Sequence, residues 1–312
     1  MSATGAWLPA RNAVRVALGE IPRHPFERFS AELLAAVAAG ARVCALTGWR
    51  GPGAGVQLLA VLGDDAQGEL GLALGELSGD AFPSLTPECP QLHLFERELA
   101  ETLGLRPLGH PWLKPVRFPA AAAGGEAPAV GVMDFYRVEG DEVHEVAVGP
   151  VHAGVIEPGH FRFQCHGEQV LHLEISLGYQ HRGVERALVE GDPRRRPHYA
   201  ETLAGDTTVG HALAWAQAVE GLAGCRPSPR ADALRGIALE LERLANHTGD
   251  LGALAGDVGF LPTAAFCGRL RGDWLNLTAE LCGSRFGRSL VRPGGVAFDL
   301  DASRAARMRE RV

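Results

Sequence analysis

Lysine occurs once in the 312 residues, at Lys114, so arginine carries nearly all of the positive charge. With a net charge of −7, the chain lacks the basic face that a nucleic-acid binder needs, and no nucleic-acid partner is expected. No apolar run approaches the ~20 residues that span a bilayer, and Met1–Ala13 lacks the hydrophobic core of a signal peptide. These absences describe a soluble protein, or one docked to a membrane assembly without entering it. The six cysteines (Cys44, Cys89, Cys165, Cys225, Cys267, Cys282) are scattered with no CxxC pair. That pattern predicts reduced, mostly buried thiols in a cytoplasmic protein, not a disulfide framework. Residues 1–115 show no phosphate loop, catalytic triad or metal spacing, and the chain has no internal repeat.

What remains is globular: 46% hydrophobic and 21% charged. Single cores stop growing near ~250–300 residues, so the length suits two domains. Residues 1–115 read as a small α/β domain. Phe26, Phe29, Leu33 and Val37 share one helical face, with Gly40 placed to end the helix. Arg42–Thr47, Val56–Leu62 and Glu69–Leu77 read as strands, and a helix over Leu92–Leu103 closes at Gly104. Residues 116–142 are linker and lead-in, rich in Ala, Gly and Pro at Pro115–Ala129.

Residues 143–312 open with strands at Val143–Val148, Phe161–Cys165 and Val170–Ile175, then turn helical after His198. One helix runs over His211–Leu222 to Gly224. The next starts at Ser228 as N-cap with Pro229 behind it, and Leu234, Ile237, Leu241, Leu244 and Ala245 form its buried stripe. A third covers Ala264–Cys282, and Arg304–Val312 looks like the start of another. The whole reads as α+β, with a strand-capped helical bundle following the small domain.

Residues 149–186 concentrate a Gly149-Pro150 turn, five histidines, a Glu157-Pro-Gly-His160 turn and His181-Arg-Gly-Val-Glu-Arg186. Further blocks follow at Ala218-Val-Glu220, Pro227-Ser-Pro-Arg230, Glu240-Leu-Glu-Arg-Leu-Ala-Asn-His247 and Arg292-Pro-Gly-Gly295. In this order they resemble the large subunit of membrane-bound nickel–iron hydrogenases of the formate hydrogenlyase type, and its descendant, the quinone-site subunit of respiratory complex I. Upstream, Pro83-Ser-Leu-Thr-Pro87, Glu96-Arg-Glu98 and Gly109-His-Pro111 resemble the signature of a second, smaller complex I subunit. Fusions of that small subunit to the quinone-site subunit are how many such hydrogenase large subunits are built. Against that pattern the chain is C-terminally short.

The chain departs from the hydrogenases where nickel would bind. Soft thiolates hold that centre. The first family cysteine pair falls on Ala204 and Thr207, and the second has no counterpart, so no metal site is expected. Gly205, His211 and Glu220 still match. The resemblance implies a large subunit of a complex I-like oxidoreductase, with NADH or another donor and quinone as acceptor. It would dock a small iron–sulfur subunit of the complex I type, together with membrane-arm subunits, on the inner face of the cell membrane. The chain itself would hold no cofactor, with quinone a candidate ligand and the iron–sulfur cluster in the partner.

By the same resemblance His152 occupies the quinone-headgroup loop, where a near-neutral pKa suits proton donation. Glu157 stands where hydrogenases lead protons from the metal, and Asp257 where an acid partners the loop histidine. His181 and Arg182 would lie near the partner's cluster. Arg182 and Glu185, with Glu240 and Arg243, would form a buried ion network. The family's headgroup tyrosine falls near Gly205, which has no side chain to bond a quinone. The other readings are a non-catalytic scaffold, which keeps docking surfaces around a dead site, or a truncated copy of a hydrogenase large subunit.

Overall fold

The computed structural model describes residues 5–51, 55–118, 129, 132–150 and 158–312. The fold is mixed α+β. Two compact units divide it: the first holds the described residues up to 150 together with Pro158–Tyr179, the second Gln180–Val312.

In the first unit, β1 (Leu8–Ala10), β2 (Arg23–Pro25), α1 (Phe26–Ala38), β3 (Arg42–Arg50), β4 (Gly55–Asp64) and β5 (Glu69–Ser78) follow in order. β3, β4 and β5 form an antiparallel meander, while β1 and β2 share the outer edge of β5. The alternation Val56, Leu58, Ala60, Leu62 sends β4 side chains into the core beneath Phe26, Phe29 and Leu33 of α1. Gly75 lets α1 approach: a Cβ there would stand 2.7 Å from the Phe29 ring. The three predicted strands and the α1 helix are present. β1 and β2 went unpredicted because three-residue edge strands carry too little alternation to read.

β6 (Ala81–Pro83), α2 (His93–Leu103) and β7 (Arg106–Leu108) complete this core, with Gly104 left-handed (φ 68°) at the end of α2. The fully buried Glu96 organises the turn that precedes α2. It accepts hydrogen bonds from Ser84 Oγ (2.5 Å), Leu85 N (2.7 Å) and Thr86 Oγ1 (2.7 Å). His110 Nε2 lies 3.9 Å away. The three separated blocks of the upstream signature therefore meet at one carboxylate.

β8 (Val143–Val148), β9 (His160–His166) and β10 (Gln169–Ser176) form an antiparallel meander. Its polar face is covered by the chain leading into it. Tyr136 N donates to the buried Glu174 (2.8 Å), and the Tyr136 ring lies 4.0 Å from the His172 ring. Lys114 reaches Glu174 at 4.0 Å and the carbonyl of Asp134. These bonds join the meander to the first unit. Residue 143, where the sequence blocks change, therefore lies inside that unit.

The second unit holds α3 (Val184–Glu190), α4 (Arg196–Ala200), α5 (Thr208–Ala223), α6 (Pro229–Asp257), α7 (Leu261–Cys282), the ribbon β11 (Val291–Arg292) and β12 (Gly295–Val296), and α8 (Ala302–Arg311). Ser228 Oγ accepts Ala231 N at 3.2 Å, the predicted N-cap of α6. α7 folds back along α6, and Trp274 Nε1 donates to Thr248 Oγ1 at 3.2 Å. The core joins Val209, Ala212 and Ala216 of α5 to Leu234, Ala238 and Leu241 of α6 and Leu277 and Leu281 of α7. Ile237 and Leu244, expected in the α6 stripe, are about two-fifths exposed (40% and 38%). They sit one residue, ~100° of helix, off the buried row of 234, 238, 241 and 245. Among the described residues no helix is long and apolar enough to cross a membrane. All six cysteines are free; four of them (Cys89, Cys165, Cys267, Cys282) are buried.

Candidate functional site

The loop between α4 and α5 carries Ala204-Gly-Asp-Thr207, and three elements grip it. The first turn of α5 exposes N–H groups that its N-cap Thr207 does not take up, since the Thr207 and Thr208 hydroxyls have no hydrogen-bond partner. Glu242 of α6 supplies the cap from outside the helix, accepting Val209 N at 2.7 Å and Gly210 N at 2.9 Å. One turn on, Asn246 Nδ2 donates to the Asp206 carbonyl (3.0 Å), and Arg271 of α7 donates to the Asp206 carboxylate (3.2 Å). Arg182 donates to the carbonyls of Thr202 and Leu203. At the other end, the buried Glu201 accepts Ser289 N at 2.6 Å.

Burial pushes the Glu242 carboxyl up from the ordinary glutamate value. The bonds from Val209 and Gly210 and nearby His211 oppose this, and Asp206 adds to it. Glu242 borders two spaces. One is an open cleft of about 390 Å³ walled by Thr207, His211, Leu239, Asn246 and His247. The other is a void of about 10 Å³ that Asp206, Asn246, Thr278 and Arg285 also line.

The donor set decides which groups fit. Ala204 offers a methyl and Thr207 a hydroxyl where a nickel centre needs thiolates, so these residues do not fit that metal. The cleft mixes apolar Leu239 and Ala214 with the hydrogen-bonding side chains His211, Asn246 and His247. An apolar wall with a few hydrogen-bonding side chains is the general lining of a small-molecule site.

Of the residues expected from sequence, His152 and Glu157 lie outside the described residues. Asp257 is the exposed last residue of α6, about 16 Å along the helix from Asn246 at ~1.5 Å per residue. Arg182 meets the loop directly, while His181 is exposed. The expected buried network at Glu240 and Arg243 is instead an exposed i,i+3 pair at 3.3 Å, on the face of α6 away from the core stripe. The buried ion pair is elsewhere. Arg235 Nη1 and Nη2 bond Glu220 at 3.2 and 2.6 Å, and Arg235 also donates to the Arg292 and Gly295 carbonyls. This pair ties the Ala218-Val-Glu220 block to Arg292-Pro-Gly-Gly295. Sequence reasoning missed Glu242 and Arg235 as organisers; the signal was a charged residue within or beside an apolar helical stripe.

No family model matches the chain. It is 32% identical over 251 residues to hydrogenase-4 component G of Escherichia coli (strain K12), covering 73% of this chain and 44% of that protein. It is 34% identical over 159 residues to NADH-quinone oxidoreductase subunit 4 of Thermus thermophilus, covering 51% of this chain and 39% of the relative. The chain thus spans less than half the length of these relatives. Among solved structures, a chain of the membrane-bound sulfane sulfur reductase, an archaeal respiratory membrane complex, shares the fold. Its TM-score is 0.52 at 20% identity, covering 56% of this chain and 47% of that one.

Proposed function

We propose, from the premise that this chain is a relative of the hydrogenase large subunits and of the matching NADH-quinone oxidoreductase subunits, that it is the large-subunit component of a complex I-like quinone oxidoreductase assembly and works without nickel. Residues 1–115 would be the part that resembles the smaller complex I subunit, residues 116–142 the linker and lead-in, and residues 143–312 the hydrogenase-type part. One observation supports the first of these parts: Glu96 draws the three blocks of the upstream signature together.

The observation that carries the reading is the loop at Ala204–Thr207. Its backbone is held by Glu242, Asn246, Arg271 and Arg182, yet its side chains offer no thiolate. A binding cavity is kept while the metal donors are gone. In the assembly this cavity would receive a quinone headgroup, with His211, Asn246 and His247 as hydrogen-bonding walls; that His152, Glu157 and Asp257 handle protons is proposed from the family resemblance alone, Asp257 ending α6 away from the cavity. A quinone supplies two-electron, two-proton redox chemistry when bound. The chain's part is to orient the headgroup, exclude water and deliver protons. His181 and Arg182 would face the cluster of an iron–sulfur partner, and membrane-arm subunits would hold the assembly to the inner face of the membrane.

Purifying the native assembly and identifying its chains by mass spectrometry tests this. A small iron–sulfur subunit and membrane subunits are expected in constant ratio; a chain that elutes alone would overturn the reading. In the assembly, His152→Ala is expected to lower quinone reduction, and unchanged electron flux would remove this histidine from the mechanism.

A further inference from the structure

We infer that Glu242 and Asp206 form a carboxyl relay that moves protons between the cleft and solvent. This rests on the proposed function, because a proton path matters only if the cleft hosts proton-coupled chemistry. Three geometric facts carry it. Glu242 is the acidic side chain common to the cleft and to the small void behind it. Asp206 lines the same void, and its side chain is exposed to solvent. The void, at about 10 Å³, is on the scale that admits a single water molecule, with polar neighbours in Asp206, Glu242, Asn246 and Thr278.

The transfer is balanced and needs no other reactant. As a carboxylate, Glu242 accepts the N–H groups of Val209 and Gly210. When it is protonated, one oxygen still accepts while the other, an O–H, donates to a ligand in the cleft. After that transfer a water in the void passes a proton to Glu242 as it receives one from Asp206, and Asp206 takes its proton from solvent. Arg271 donates to the Asp206 carboxylate at 3.2 Å and holds it beside the void.

The charged and titratable groups facing the pair set the balance. They are His211 on α5, Arg243 and His247 on α6, Arg271 on α7 and Arg285 in the loop after α7. Burial holds the Glu242 proton above the ordinary glutamate range, and the Asp206 charge strengthens that hold. Because the Glu242 value is raised in the folded state, native stability falls as pH rises from the ordinary glutamate value through the folded one.

Infrared difference spectroscopy of the full chain across pH tests the relay. The expected result is a protonated-carboxyl band that titrates above the ordinary glutamate range and is absent from Glu242→Gln. Asp206→Asn is expected to keep the band and move its midpoint downward, because the neighbouring negative charge is gone. Circular dichroism on both variants checks the fold. If Glu242→Gln fails to fold, the Asp206→Asn shift alone decides. A wild-type band confined to the ordinary range, or an unmoved midpoint in Asp206→Asn, would overturn the relay. The titration uses neither quinone nor partner, so its failure leaves the proposed function standing, and failure of quinone binding leaves the titration result intact.

Discussion

Glu96 and Glu220 show how single buried carboxylates organise this chain. Glu96 accepts three donors from the Ser84–Thr86 turn, so Glu96→Ala strands several buried polar groups. At ~1–3 kcal/mol per stranded group, a loss on the order of 3 kcal/mol is expected, read as a lower urea midpoint. Glu220 is held below the ordinary carboxylate range chiefly by its bonds with Arg235. Because its folded pKa is depressed, this pair stabilises fully above the ordinary glutamate value. That stability is lost as pH falls through the folded value. Arg235→Met leaves Glu220 buried without its cation and is expected to cost about 3–5 kcal/mol at neutral pH. It should also flatten the acid limb of a stability-against-pH curve. An acid limb identical to wild type would mean the pair contributes nothing there.

At the scale of elements, what was legible in the sequence followed from periodicity and punctuation. Phe26, Phe29 and Leu33 announced α1, the alternation in β4 announced a half-buried strand, and Ser228-Pro229 announced the start of α6. Cross-element bonds were not legible. Nothing in the order of residues says that Glu242 caps a helix beginning 34 residues earlier, at Thr208, or that the buried ion pair is Arg235–Glu220 while Arg243–Glu240 stays exposed. Such bonds depend on how helices turn against one another, which periodicity leaves open by a residue. The Ile237 and Leu244 offset has the same cause. The close approach of α1 to β5 gives an element-scale test. Gly75→Ala puts a methyl into the Phe29 ring, which is 1% exposed and has no room to retreat. A destabilisation of about 1–3 kcal/mol is expected from thermal unfolding, and an unchanged midpoint would mean the helix shifts freely.

At the scale of the whole molecule, the second unit braces a loop at Ala204–Thr207 whose side chains offer no thiolate, and the proposed reading takes this as a metal pocket put to another use. The Glu220–Arg235 pair still locks the β11–β12 ribbon, and Glu242, Asn246 and Arg271 still hold the loop. In the proposed function the shape so held would serve a redox ligand in the cleft and partners docked around it. The most direct measurement is the metal content of the purified native assembly, by elemental mass spectrometry normalised to this chain. Iron from an iron–sulfur partner with nickel far below one atom per chain is the expected result. One nickel per chain would contradict it.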